Sequence, residues 1–427
     1  MKFIDLFAGL GGFHVGLKRL GHHCVFASEK KESLASLYER NFNIEVNRDI
    51  TKVDIKHIPA HDILCAGFPC QPFSKAGSQE GLNDKSNGYL FNLIAEILET
   101  HRPEYFILEN VRNLQYHNNG KTWKYIQKIL SEKLKYAVSA QVLSPHQFGI
   151  PQHRERFFII GSKSSDLSSF QWPRPLKVQN ELSIHDYLSD ENLPEFQLEE
   201  EKKKVLEVWQ EFLDKFPASA KLPSWPIWSM EFGATYPFEK TTPFASSSTA
   251  LDHTNGIYGI PLKGLAKEEK FQLLPAYART PQHEFPTWKK HFIRSNRAFY
   301  TKHKPIIEDV VEKIASLGIP SYQKFEWNLQ GEERNIYKHI IQFRGSGVRI
   351  KRANYFPSLV TVRTQTPVIG WKLRYITPKE GALIQSLDSI ELPQKLPTAY
   401  SALGNAVNAE LVYLIAKALV VENVTVI

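Results

Sequence analysis

The sequence predicts an α/β fold with a doubly wound, mostly parallel sheet and a second, smaller domain. Over the first 160 residues or so, short apolar runs alternate with stretches of helical spacing. This alternation is typical of βαβ units, whose strands pair in parallel. A glycine-rich turn follows the first apolar run, and the alternation stops near Pro173. A length of 427 residues is enough for two or three domains, each with its own core.

Each element of the amino-terminal region has a local signature. The predicted strands are short, apolar runs that end in polar or turn-forming residues, and they span 2–7, 24–28, 62–66 and 105–108. The predicted helices carry apolar residues three and four positions apart, and they span 13–20, 33–41, 90–100 and 122–134.

The rest of the chain has a different texture. A helix is predicted over 199–216, and the region from there to about Thr366 is rich in Pro, Trp and Ser. Thr377 and Pro378 are typical of the N-cap and first residue of a short helix. Residues 400–420 predict a Gly-Asn turn and an apolar helix that needs the amino-terminal sheet as its partner. We expect one domain of residues 1–172 plus 397–427, and a second domain with a hinge over 173–396.

Composition excludes several classes of protein. No apolar run is long enough to span a bilayer, and the amino terminus leads directly into a strand pattern, so we expect no membrane segment and no signal peptide. Three cysteines, all before position 71, do not suit a disulfide framework or a zinc site. We therefore expect a cytoplasmic protein with reduced thiols and no metal.

Basic residues are unevenly distributed. The net charge of +8, from 53 basic and 45 acidic residues, is compatible with nucleic acid but weak evidence for it. Two stretches, 279–304 and 345–374, are strongly basic with almost no offsetting acids, and the first also contains aromatic residues. Such stretches form either a solvated face or a surface that follows phosphates.

Three segments predict a nucleotide-like ligand. The turn 7–12 (FAGLGG) lies between a strand and a helix and lets the backbone approach a ligand closely. Glu29 ends the next strand about 20 residues on, where such folds bind ribose hydroxyls. Asp49 and Ile50 follow the third strand, within reach of an adenine. The alternative for Glu29 is a surface carboxylate.

Three further segments carry reactive side chains. Cys70 lies in 67–74 (GFPCQPFS), a turn directly after a buried strand. Glu109 follows the strand 105–108, and a suitable strand order would put it on the same rim as the thiol. Alternation points Gln152, Arg154 and Arg156 to one side of a strand. The alternatives are an inert loop cysteine, an Asx-type turn and surface ion pairs.

In identity, order and spacing these motifs resemble the DNA cytosine-5 methyltransferases of bacterial restriction-modification type. The resemblance covers about residues 1–172 and 345–427, including 374–380 (RYITPKE) and 404–407 (GNAV). It implies a Rossmann-like, S-adenosylmethionine-dependent methyltransferase fold in which residues 173–396 recognise DNA. Two positions depart from the family pattern: Lys30, where relatives often have an apolar or aromatic residue, and Ala406, where they have serine.

The resemblance also implies a mechanism. Cys70 would attack carbon 6 of a flipped-out cytosine, and Glu109 would hydrogen-bond the ring nitrogen and the exocyclic amine. Arg154 would hold the carbonyl oxygen of the base, and Arg156 would support the loop. The methyl donor would be S-adenosylmethionine, with S-adenosylhomocysteine as the product. The residues expected to hold it are Phe7, Leu10, Gly12, Glu29, Asp49, Ile50, Pro69 and Asn405.

Double-stranded DNA is the implied partner. We expect residues 71–88 to close over the flipped base, the protein to be a monomer, and any cognate restriction endonuclease to act separately. Expected DNA contacts are Gln71, Ser74, Lys289, Lys290, Arg294, Arg297, Arg349 and Arg352. Three alternatives are considered: an RNA cytosine methyltransferase of the same fold, although those relatives lack so large a recognition region, a catalytically silent DNA-binding relative, and an unrelated methyltransferase that shares only the sheet.

Overall fold

The computed structural model describes residues 1–68, 90–164, 166–176, 182–191, 193–361 and 363–421. The chain divides into two compact units. The first unit consists of Met1–Glu191, Asn354–Arg363 and Ile376–Ile427, and the second consists of Asn192–Ala353 and Thr364–Tyr375. Three separate stretches of sequence therefore build the first unit.

The strands of the described part of the chain are short, and most of them belong to two sheets. They are β1 Lys2–Leu6, β2 His23–Ser28, β3 Val46–Asn47, β4 Ile63–Gly67, β5 Tyr105–Val111, β6 Ala137–Leu143, β7 Gln152–His153, β8 Arg156–Ser162, β9 Ile227–Trp228, β10 Lys324–Trp327, β11 Ile340–Arg344, β12 Gly347–Lys351, β13 Phe356–Pro357, β14 Val368–Ile369 and β15 Arg374–Tyr375.

The α-helices of the described residues occur in both units. They are α1 Gly12–Lys18, α2 Glu32–Phe42, α3 Leu90–His101, α4 Lys121–Lys128, α5 Glu200–Asp214, α6 Ser248–Leu251, α7 Lys267–Gln272, α8 Thr287–Ala315, α9 Pro378–Ile384, α10 Leu396–Asn405 and α11 Ala409–Ala416.

A seven-stranded sheet forms the centre of the first unit. Its strand order is β3-β2-β1-β4-β5-β8-β6. The pairs among β3, β2, β1, β4 and β5 are parallel, whereas β8 runs antiparallel to β5 and β6. The predicted α/β class with a mostly parallel, doubly wound sheet is confirmed. The predicted strands and helices of this region are present, with ends shifted by a few residues.

Both faces of this sheet are buried, which explains why its strands are almost continuously apolar. Along β1, Phe3 packs into a core that includes α1 and α11, while Ile4 packs into a second core that includes α3 and α4. Successive side chains of a strand point to opposite faces, so one apolar strand supplies both cores. The apolar carboxyl-terminal helix therefore packs where it was predicted to pack.

One prediction about this helix was wrong. Among the described residues, the stretch Leu396–Val420 is long and apolar enough to cross a membrane, and an 18-residue window within it has a mean hydropathy of 1.3. The stretch is not an uninterrupted apolar run, because Asn405, Asn408, Glu410 and Lys417 lie inside it. The fold buries 72% of that window, and Leu411 and Ile415 belong to the core beside α1. It therefore has the burial of a core helix.

The second unit contains a six-stranded sheet of order β15-β14-β11-β12-β10-β9. Helices α5 and α8 cover one face of it. Trp209 of α5 lies fully buried, with its ring stacked on Phe325 at a centroid distance of 4.7 Å. Its indole Nε1 donates to the carbonyl oxygen of Tyr322 at 2.7 Å. The predicted helix 199–216 is confirmed, and its apolar face forms this core.

The division into units differs from the predicted domain boundaries. Residues 173–191 and 376–396 belong to the first unit rather than the second, and 354–363 also returns to it. A short helix explains part of the difference: Thr377 caps α9, and Tyr400 of α10 donates to the carbonyl oxygen of Ile376 at 2.5 Å. The assignment of DNA recognition to the second unit stays a prediction.

Replacing Trp209 with alanine should destabilise the second unit by about 3–5 kcal/mol, because it empties a core position and leaves the Tyr322 carbonyl without its donor. Trp288→Ala is the matched control, since 56% of that side chain is exposed and its loss should change stability by about 0.5 kcal/mol or less. Urea unfolding followed by circular dichroism measures both. Equal effects of the two substitutions would contradict the described core.

Candidate functional site

A tight turn after β1 forms one wall of the site. Phe7 has a φ of 58°, Gly9 of 55° and Gly11 of 80°, all in the left-handed region. Helix α1 begins at Gly12, where an added Cβ would lie 2.4 Å from the carbonyl oxygen of Val407. Glycine at position 12 therefore permits close contact between this turn and the carboxyl-terminal segment.

A cavity of about 380 Å³ lies against this turn, within the first unit. This volume lies in the range of small-molecule sites. It is lined by Phe7, Ala8, Gly9, Leu10, Gly12, Phe13, Glu29, Lys31, Leu34, Gly67, Phe68, Glu109, Val111, Arg156, Ser401, Ala402, Gly404, Asn405, Ala406 and Val407. The sequence-predicted ligand residues Phe7, Leu10, Gly12, Glu29 and Asn405 are thus brought together.

The carboxylate of Glu29 is held at the end of β2. Its Oε2 accepts a hydrogen bond from the backbone N–H of Gly9 at 3.0 Å, and its Oε1 accepts one from Lys31 at 2.8 Å. Asp49 and Ile50 are not among the lining residues. The Asp49 carboxylate caps the following turn by accepting from the backbone and hydroxyl of Thr51, and Ile50 is buried in the core.

Glu109 and Arg156 face the cavity from neighbouring strands. The sequence predicted that Glu109 follows the strand. Strand β5 instead continues to Val111, so Glu109 lies within it. Antiparallel pairing with β8 sets this length, since Val111 lies opposite Arg156. The Arg156 Nε lies 2.9 Å from the Glu109 Oε1, and 9% of the Glu109 side chain is exposed. Burial raises the pKa of Glu109 above its usual value, while the charges of Arg156 and Arg154 oppose the rise.

Arg154 occupies a different place from the one predicted. The segment 152–156 is interrupted between β7 and β8, so Gln152, Arg154 and Arg156 do not share one strand face. Arg154 is 1% exposed. Its Nη1 donates to the Ser358 hydroxyl at 3.2 Å and to the Leu359 carbonyl at 3.0 Å, and its Nη2 donates to the carbonyl oxygens of Gly404 and Ala406, each at 2.8 Å.

Residues 1–236 match the family described as C-5 cytosine-specific DNA methylase. This match spans more than half of the chain. The chain belongs to that family. This membership confirms the resemblance seen in the sequence motifs.

Curated members of the family align with different shares of their length. The type II methyltransferase M.HhaI of Haemophilus parahaemolyticus is 38% identical over 226 residues, which are 52% of this chain and 67% of that protein. M.DsaV of Dactylococcopsis salina is 44% identical over 42% of this chain, and this alignment spans 51% of that relative's length. M.AluI of Cellulosimicrobium cellulans is 29% identical over 96% of this chain and 90% of its own.

Two solved structures share the fold over almost the entire chain. The methyltransferase EhMeth of Entamoeba histolytica superposes with a TM-score of 0.52 at 16% identity, covering 98% of this chain and 97% of its own. A putative DNA modification methyltransferase encoded within an E. coli prophage gives 0.51 at 18% identity, with 98% of both chains covered. These structures support the fold of the methylase.

Four predicted site residues of the methylase lie outside the described residues: Pro69, Cys70, Gln71 and Ser74. The residues that directly precede them, up to Phe68, are among the described ones. Strand β4 pairs in parallel with β5, and Gly67 lies opposite Glu109. The buried Asn110 donates from Nδ2 to the carbonyl oxygen of Phe68 at 3.2 Å. The predicted adjacency of the Cys70-bearing strand and the Glu109 strand is therefore present up to Phe68.

The basic residues predicted to contact DNA have protein partners. The scarcity of acids within the two basic stretches does not leave these cations unpaired: Glu284 of the same stretch pairs with Lys290, and the other acids come from outside the stretches. The ion pairs are Lys290–Glu284, Arg294–Glu239, Arg297–Glu231, Arg349–Glu326 and Arg352–Glu332. Lys289 is 6% exposed and donates to the Tyr277 carbonyl at 2.8 Å. Whether any of them touches DNA stays a prediction.

Some lining residues had no sequence-based assignment. Phe13 lies one residue into α1, and Ser401 lies one helical turn before Asn405 on α10. Helical spacing from Asn405 would have found Ser401, since residues four apart share a face. Lys31 follows the unusual Lys30 and lines the cavity, so this departure from the family pattern lies beside the site.

Arg154→Gln should lower the free energy of unfolding of the first unit by roughly 2–5 kcal/mol, because several buried carbonyl groups lose their donor. Arg156→Gln is the matched control. It lies at the rim, and its loss should lower stability by about 1 kcal/mol or less, because the partner Glu109 can take up a proton. Thermal and urea unfolding compare the two, and a reversed order would contradict the described roles.

Proposed function

We propose that this chain transfers a methyl group from S-adenosylmethionine to carbon 5 of a cytosine in duplex DNA. One observation carries the proposal: Glu109 and Arg156, 2.9 Å apart, face a cavity whose opposite wall is the glycine-rich turn. A site for a nucleotide-like donor and a pair of polar groups suited to a base thus share one cavity. Membership of the methylase family supports the same substrates.

The cavity suits S-adenosylmethionine in shape and donor set. Its volume is about 380 Å³. Gly12 and Gly404 line it and let neighbouring backbone segments lie so close that a Cβ at either position would clash with them. Glu29 would accept hydrogen bonds from the ribose hydroxyls. Phe7, Leu10 and Asn405 would complete the site together with Pro69, whereas Asp49 and Ile50 lie away from the lining. When bound, this cofactor supplies an electrophilic methyl group.

Cys70 would supply the nucleophile. Carbon 5 of cytosine is a weak nucleophile, and addition of the Cys70 thiolate to carbon 6 turns the ring into an enamine with electron density at carbon 5. After carbon 5 gains the methyl group, it loses its proton to a base, and the electron pair expels the Cys70 thiolate. Carbon 6 is inaccessible in stacked DNA, so the cytosine must be flipped out of the duplex.

Glu109 and Arg156 would hold the base during this addition. Glu109 in its protonated form, favoured by burial, can donate to the ring nitrogen as negative charge develops there. Arg156, not Arg154, is the arginine that lines the cavity, so we assign the contact with the base carbonyl oxygen to Arg156. Arg154 does not line the cavity and instead positions the segment 404–406 by donating to the carbonyl oxygens of Gly404 and Ala406.

The biological setting follows from the family. We propose that the methylation protects host DNA in the cytoplasm of a bacterium that has a restriction-modification system, with the cognate endonuclease as a separate protein. We also propose that the chain acts as a monomer on double-stranded DNA.

Trapping tests the covalent step. A duplex that carries 5-fluorocytosine at the target should remain attached to the wild-type protein in denaturing gels, because fluorine cannot leave carbon 5 as the proton does. Cys70→Ala should form no such adduct, and its methyl transfer should fall by about 10³-fold or more, as expected for loss of a nucleophile. Cys24→Ala is the control, since Cys24 lies buried beside Tyr38 and should retain the adduct. An adduct in Cys70→Ala would refute the proposed nucleophile.

Glu109 should give the reaction a falling limb at high pH. Burial raises the pKa of Glu109 in the folded protein, so the donating, protonated form persists to higher pH and is lost as the pH rises through that value. Glu109→Gln should be slower by about 10²–10⁴-fold, and its residual rate should lack this limb, because the amide does not ionise. Single-turnover rates between about pH 5 and about pH 9 measure it. The same falling limb in Glu109→Gln would exclude Glu109 as its origin.

A further inference from the structure

One face of the sheet in the second unit is charged. Helices α5 and α8 cover the other face, where Phe325, Val348 and Ile350 are buried. Residues paired across neighbouring strands point to the same side, and alternate residues of a strand share a face. The opposite side of β10, β12 and β11 therefore carries the buried Ile340 and a polar set, with Gln342 buried, that we call the hairpin face: Lys324, Glu326, Gln342, Arg344, Arg349 and Lys351.

Cations outnumber acids on the hairpin face. Within it, Glu326 is the only acid, and it pairs with Arg349 at 2.9 Å. Among the described residues, the side chains of Arg344 and Lys351 have no ion-pair or hydrogen-bond partner, although the charge of Glu326 acts on both. This contrasts with the α8 cations Lys290, Arg294 and Arg297, each of which is neutralised by a glutamate.

Arg344 and Lys351, whose side chains form no ion pair with the described residues, are also partly desolvated. Burial and then the charge of Arg349 lower the pKa of Arg344, and burial followed by the charges of Arg349 and Arg344 lowers the pKa of Lys351 to about 8. Cations held close together out of water repel one another, and an anion placed among them removes this repulsion. The hairpin face is therefore arranged to receive negative charge.

The end of the hairpin leaves room for a large anionic partner. Strands β11 and β12 are joined by a two-residue turn at Gly345 and Ser346, both exposed. A Cβ added at Gly345 would meet nothing within 4 Å. Arg344 directly precedes this exposed turn.

We propose that the hairpin face contacts phosphates of duplex DNA, with Arg344 and Lys351 as the contacting cations. The inference rests on the proposed function, which makes duplex DNA the partner. It moves the main phosphate contacts of the second unit from α8, Arg349 and Arg352, where the sequence placed them, to Arg344 on β11 and Lys351 on β12. Each contact should release one condensed counterion from the DNA.

The salt dependence of DNA binding by the full chain tests the proposal. On a mixed-sequence duplex, the slope of log K against log salt should become shallower by about 0.9 for Arg344→Gln or Lys351→Gln alone, and by about 1.8 for both. Arg344→Lys retains the charge and should retain the slope. Arg294→Gln is the matched control from α8 and should leave the slope unchanged.

The outcomes separate this inference from the proposed function. An unchanged slope in the double variant, or a loss in Arg294→Gln as large as in Arg344→Gln, overturns the inference. Methyl transfer and S-adenosylmethionine binding are measured on the same preparations. A wild-type chain that transfers no methyl group but loses slope with the two cations would refute the proposed function alone. A chain that methylates DNA with a slope independent of them would refute the inference alone.

Discussion

The geometry of the site depends on the buried guanidinium of Arg154. It donates to the Ser358 hydroxyl and to the carbonyl oxygens of Leu359, Gly404 and Ala406, which belong to segments far apart in the sequence. A buried charge is tolerated only when polar groups compensate it, and here carbonyl dipoles do so. Its hydrogen bonds hold the segment 404–406 against the cavity. They also fix the short stretch of backbone that leads to Arg156, and hence the position of Arg156 beside Glu109.

Local patterns predicted most of the first unit, because its strands and helices have clear periodicity and turn chemistry. They failed where the length or shape of an element depends on the segment that pairs with it in the folded protein. Strand β5 extends to Val111 since β8 lies opposite it, and no feature of 105–111 alone indicates that. The alternation over 152–156 suggested one strand, yet the backbone departs from β geometry between Gln152 and Arg156 so that Arg154 can reach carbonyl groups of other segments.

The order of the motifs identified the family. In contrast, the sequence did not show which basic residues are neutralised by ion pairs in the folded protein. The stretch 279–304 appeared unbalanced, but Glu231 and Glu239 approach α8 from an earlier part of the chain. Ion pairing is a property of the folded surface, so a basic run overstates the available positive charge when its acids are distant in sequence. The hairpin face shows the converse: Arg349 pairs with Glu326, but among the described residues the side chains of Arg344 and Lys351 have no ion pair, and burial lowers the pKa of both.

The contact between Gly12 and Val407 has a consequence for biosynthesis. The first turn of the chain and its carboxyl-terminal segment form adjacent parts of one cavity, and α1 packs against α11 in the same core. During translation, the amino-terminal strands leave the ribosome long before the segment that completes their cavity. Such long-range pairing slows folding and leaves apolar surface exposed in the meantime. The cavity of the nascent protein is therefore incomplete until synthesis has passed Val407.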